Sequence, residues 1–116
     1  MQAKGTATFN SSVQQSPGHC PLLDCSWYFF VAGFPHEAMP PAVEAIRLAS
    51  AANDSSSLRR SLNFLGIVHA DIGNVAQAVE CYAKAIELAK QLREPLTEAA
   101  AWVNLGVALI YIAQYA

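Results

Sequence analysis

At 116 residues the chain has room for one domain at most, and its 53% apolar content argues against disorder. A net charge of −2 with 14% charged residues leaves no basic face for nucleic acid, and the abundance of alanine suits closely packed helices. Three cysteines, an odd number, do not make a disulfide framework and read as reduced thiols in a cytoplasmic protein.

Residues 1–20 (MQAKGTATFNSSVQQSPGHC) lack periodicity and read as a flexible N-terminal tail. They hold one charge, Lys4, and no apolar run of the length a signal peptide needs. Cys20 and Cys25 are five apart and do not form a paired-cysteine ligand pattern with His19, so no metal site is predicted. From Pro21 the character changes. Leu22, Leu23, Trp27, Phe30 and Val31 predict a helix over 22–32, stopped by Gly33. A second helix is predicted over 38–52, starting near Pro40-Pro41, because proline is tolerated in a first turn.

The third helix, 56–72, has Asp54 or one of Ser55–Ser57 as its N-cap and apolar residues at Leu62, Leu65, Val68 and Ile72. Gly73 ends it. Asn74 then caps a fourth helix, 75–93, with Gln77 as a capping-box partner and Val79, Tyr82, Ile86 and Ala89 on its apolar face. The fifth helix, 96–114, opens at Pro95 with Glu98 in its first turn. Its apolar stretch, Ala99–Ala113, is shorter than the roughly 20 residues of a membrane span, and no membrane partner is predicted.

Small residues mark where helices approach. Gly66 costs its helix roughly 1 kcal/mol against alanine, which predicts close approach by a partner helix. Ala78 and Ala85 are the matching small residues, with Tyr82 between them as a plug, and a Gly66–Ala78 contact is expected. The same pattern recurs at an offset of 40: Gly33 with Gly73, Ala38 with Ala78, Ala45-Ile46 with Ala85-Ile86, and Leu65-Gly66 with Leu105-Gly106. One offset across two different helices indicates an internal repeat. The repeat domain covers 21–116, with units of about 22–52, 55–93 and 95–116, the last incomplete.

Leu65-Gly66, Gly73, Ala78, Tyr82 and Ala85, with Trp102, Leu105 and Gly106 as a second copy, resemble the tetratricopeptide repeat (TPR) signature. The family's usual period is 34, so the likeness is to subfamilies with repeats of about 40. The resemblance implies an all-α fold, a right-handed superhelix of antiparallel helix pairs. It implies a concave groove, lined by the first helix of each pair, that binds a peptide or partner helix. Carried over by position, the groove would hold Arg60, Asn63, Phe64, Ile67, Ala70 and Asp71, then Val103, Asn104, Val107 and Tyr111; for Phe64 and Ile67 the alternative is packing against a neighbouring repeat. Chaperone-binding members clamp a carboxylate with lysines and asparagines. This chain has Asn63 and Asn104 but no lysine between Lys4 and Lys84, which argues against that specificity.

No phosphate loop, nucleophile elbow or HExxH pattern occurs, and His69 reads as a packing residue, so neither an enzyme nor a cofactor is expected. The expected function is that of a protein–protein interaction scaffold, the regulatory or scaffolding part of a larger bacterial-type signalling protein. The alternative is a self-associating unit. The fifth helix carries no charge beyond Glu98, and a homodimer is expected through Trp102, Leu105, Leu109, Ile112 and Tyr115.

Overall fold

A computed structural model describes residues 21–115, so the tail predicted over 1–20 lies outside the described residues. Five helices follow one another: α1 (Pro21–Val31), α2 (Pro35–Ala51), α3 (Ser55–Ile72), α4 (Val75–Gln91) and α5 (Pro95–Tyr115). The described residues contain no strand, so they are all-α, and each helix lies within three residues of its predicted bounds.

The four turns share one construction. Gly33, Asn53, Gly73 and Arg93 all have positive φ and stand 20 residues apart. The following amide in each case reaches back to close the helix: Phe34 donates to the Phe29 carbonyl (2.8 Å), Asp54 to Ala49 (2.9 Å), Asn74 to His69 (2.8 Å) and Glu94 to Ala89 (3.0 Å). This closure satisfies carbonyls that a helix end leaves orphaned. Glycine adopts it freely, whereas Arg93 pays on the order of 1 kcal/mol. The sequence reading noted the two glycines and missed Asn53 and Arg93, hence also the 20-residue spacing of the starts of α2 to α5.

Caps divide into kept and lost. The Asp54 carboxylate accepts from the Ser57 hydroxyl (2.7 Å) and the Ser57 amide (3.1 Å), and these bonds hold its pKa below the usual range. Asn74 sits at the N-cap of α4, but its side chain makes no cap bond and turns back towards His69 Nδ1, 3.4 Å away. The expected capping box with Gln77 therefore does not form.

Helix α2 corrects another expectation. It begins at Pro35, not near Pro40-Pro41. Pro35 takes the first-turn position that proline favours. Pro40 and Pro41 lie inside the helix and cannot donate to the carbonyls of His36 and Glu37, two exposed residues whose carbonyls water can reach. Burial holds the turn together: Ala38, Ala42, Ala45 and Ala49 repeat at helical spacing and are all buried. Ser26 of α1, fully buried, donates its hydroxyl to the Ala38 carbonyl at 2.5 Å and ties α1 to α2.

Each helix packs on its neighbours in sequence, and α3 also meets α1 and α5. The core runs from α1 to α4 around Ala38, Phe64, Leu65 and Val68. A second cluster joins Ala78 and Tyr82 of α4 to Ala108 of α5, with Ile67 and Leu105 against it. Gly66 does admit a close approach, and the atoms nearest it are those of the Tyr82 ring. A Cβ built on Gly66 would stand 2.6 Å from Tyr82 Cε1. The tyrosine is the plug, and burial pushes its hydroxyl up to a pKa of about 12.

Candidate interaction surfaces

Helix α3 positions most of the predicted groove residues, and the fold separates them. Asn63 and Asn104 are brought together: the Asn104 amide donates to Asn63 Oδ1 at 3.3 Å across the α3/α5 seam. Ile67 is half-buried in the α4–α5 cluster. Phe64, 8% exposed, turns into the α1/α3 seam. Its ring lies 5.9 Å from that of Trp27 and 5.7 Å, edge-on, from that of Phe30, a geometry aromatic pairs favour. A residue filling that seam is a core residue, and Phe64 offers no face to a ligand. Asp71 is exposed at the end of α3, and Val107 (63%) and Tyr111 (51%) are exposed on α5.

Arg60 is half-buried, and its Nε and one terminal nitrogen are enclosed without a hydrogen-bond partner among the described residues. Its neighbour Arg59 has Nε 3.0 Å from Glu94 Oε1, close but not aligned as a hydrogen bond. That pair ties the start of α3 to the α4–α5 turn, and sequence spacing gave no sign of it.

The residues predicted for self-association also divide. Leu105 is half-buried in the α4–α5 cluster and Ile112 is half-buried, while Trp102 and Leu109, each 49% exposed, and Tyr115 face outwards. The Trp102 indole donates to Glu98 Oε2 (3.1 Å), and the Lys90 ammonium lies 5.7 Å from its ring centroid, so the side chain is held while exposed. Gly106 occupies the register position of Gly66, yet nothing stands within 4 Å of where its Cβ would be.

An open cleft of about 470 Å³ lies between the α3–α4 turn and the end of α5, lined by Gly73, Asn74, Gln77, Tyr111, Ile112 and Tyr115 among others. Tyr111 and Tyr115 stack with centroids 4.9 Å apart. The sequence reading placed these tyrosines on two different surfaces and missed the cleft they share. Its one signal was the spacing of four residues, which puts both on one side of a helix.

Burial lowers the pKa of His69 and raises that of the Cys81 thiol. Among the described residues no three histidine, cysteine or acidic side chains converge as a metal site would require. Helix α5, at 21 residues, is longer than its apolar stretch predicted, and it is long and apolar enough to cross a membrane. Comparison of the chain with protein-family models, with curated proteins and with solved structures gave no match.

Proposed function

We propose that this chain is a TPR-like protein–protein interaction module whose helix pairs form a right-handed superhelix. It binds a peptide or partner helix along the side of α3 and α5 that carries Asn63 and Asn104, with no catalytic step and no cofactor. The observation that carries this reading is the Asn63–Asn104 bond. It spans the α3/α5 seam, half-buried, and uses one acceptor and one donor. The remaining amide groups can pair with the backbone of an extended partner. Arg60 adds enclosed donors on α3, which favours a partner bearing an acidic group. A regulatory or scaffolding place in a larger bacterial-type signalling protein suits such a module. The cytoplasm suits Cys25 and Cys81, which are free thiols.

Affinity capture with the chain as bait, followed by Asn63→Ala with Asn104→Ala, tests this. The double variant should weaken binding with a nearly unchanged melting temperature, and equal binding would reject the site.

A second reading, self-association through α5, is favoured by its outward apolar face. Trp102, Val103, Val107, Leu109 and Ile110 are each about half exposed or more, and a contiguous patch of this kind is rare on a soluble monomer. Light scattering after size exclusion tests it, and a stable monomer would reject it.

A further inference from the structure

Helix α5 sits on α4 as α3 sits on α2. Leu65 and Val68 of α3 cluster with Ala38 and Ala42 of α2, and Leu105 and Ala108, 40 residues on, cluster with Ala78 and Tyr82 of α4. The neighbouring face of α3 is closed by α4. Gly66 takes the Tyr82 ring, and Leu58 and Leu62 line one hollow with Lys84, Glu87 and Leu88. At the same offset of 40, that face of α5 carries Glu98, Trp102, Gly106 and Leu109. Leu62 is 8% exposed and Trp102 49%, and nothing among the described residues stands within 4 Å of a Cβ built on Gly106. Lys90 reaches the Trp102 ring from the α4 edge of this face and leaves the Gly106 notch open.

We propose that this face of α5 docks an amphipathic helix of a second protein, seated as α4 is seated on α3, with an aromatic ring in the Gly106 notch. The α3/α4 seam shows what fits. Opposite Gly66, α4 places Tyr82, with Ala78 four residues before it and Ala85 three after, all three buried. Small residues beside the ring let two helices come close enough for it to lie over a glycine. One position differs and gives the docked helix a charge. Leu58 shares its hollow with Glu87, and α5 has Glu98 in the place of Leu58. A lysine or arginine five residues after the aromatic one therefore complements Glu98, where a glutamate would repel it. The site stands apart from the groove of Asn63 and Asn104, because residues two apart, such as Asn104 and Gly106, do not share a helix face.

The probe is a fluorescein-labelled peptide of residues 74–93, the sequence of α4, carrying Glu87→Lys. Fluorescence anisotropy should show saturable binding to the 116-residue chain. Gly106→Leu meets no neighbour within its own chain, so the variant should keep the wild-type helical signal while binding the peptide roughly tenfold more weakly or worse. Tyr82→Ala in the peptide, with the chain unchanged, should weaken binding by roughly tenfold as well. A peptide that keeps Glu87 should bind about two- to fivefold more weakly. The Asn63→Ala, Asn104→Ala chain should bind as wild type does, and loss there would place the peptide in the groove and overturn the proposal. Binding that Gly106→Leu leaves intact would put the peptide elsewhere, such as in the place of α4 on α3, and would overturn it too. So would no saturable binding at about 100 μM chain. In that case, a two-chain mass by light scattering that Gly106→Leu abolishes would assign the face to a second copy instead.

Discussion

Helix α3 meets α1 through rings and α5 through amides. Phe64 and Asn104 stand 40 residues apart, at the same place in the repeat. The first closes the α1/α3 seam against Trp27 and Phe30, and the second closes the α3/α5 seam against Asn63. The same register is thus filled by an aromatic contact at one end and a polar, half-buried one at the other. A repeated backbone arrangement does not repeat its energetics. The α1/α3 seam is built for stability, and the α3/α5 seam keeps hydrogen-bonding capacity in hand.

Phe64→Ala should have the largest effect. Emptying the aromatic seam should cost about 3–5 kcal/mol by denaturant unfolding, whereas Asn104→Ala, losing one neutral hydrogen bond, should cost about 0.5–1.5 kcal/mol. Equal losses would erase the distinction between the seams. The two register-matched glycines sharpen it. Gly66→Ala must push its methyl into the buried Tyr82 ring and should cost about 1–3 kcal/mol. Gly106→Ala meets open space within the chain and should stabilise the monomer by up to about 1 kcal/mol. A destabilised Gly106→Ala monomer in thermal melts would show that α5 is more crowded than its neighbours indicate.

The smallest effect concerns His69, which stands where α5 has the exposed Leu109. Burial holds its folded pKa below the usual histidine range, so the folded state prefers the neutral ring. Its contribution is present at neutral pH and is lost as pH falls below about 6.5, where the unfolded chain takes up the proton. His69→Gln should flatten that part of the stability profile, measured by urea unfolding at successive pH values. An unchanged slope would place His69 in water.

Helix number and order were legible because each apolar run is bounded by a strong local signal, such as Asp54, Gly73 or Pro95. The start of α2 was not. Pro40-Pro41 is the louder signal, and only the burial of Ala38 and Ala42 outweighs the two hydrogen bonds those prolines remove. Asn53 and Arg93 were missed as turn residues because the local pattern marks glycine, while tertiary packing can hold other residues at positive φ. In the candidate groove, the repeat assigned Asn63 and Asn104 to one groove by position, but their mutual hydrogen bond was not foreseen. For Phe64 the sequence left two readings open, groove lining or packing against a neighbouring repeat, and the α1 rings opposite it decide for packing, a register the sequence of α3 does not carry.

Packing between sequence neighbours has a kinetic consequence. A chain whose helices dock chiefly on the element just made closes short loops and needs few distant encounters, which places folding in the microsecond-to-millisecond range typical of helical proteins. Assembly can begin at the α3–α4 hairpin and spread both ways. Because α5 docks mainly on α4, it can open by itself while the aromatic seam stays shut, and hydrogen exchange should report it as the first helix to release its amides.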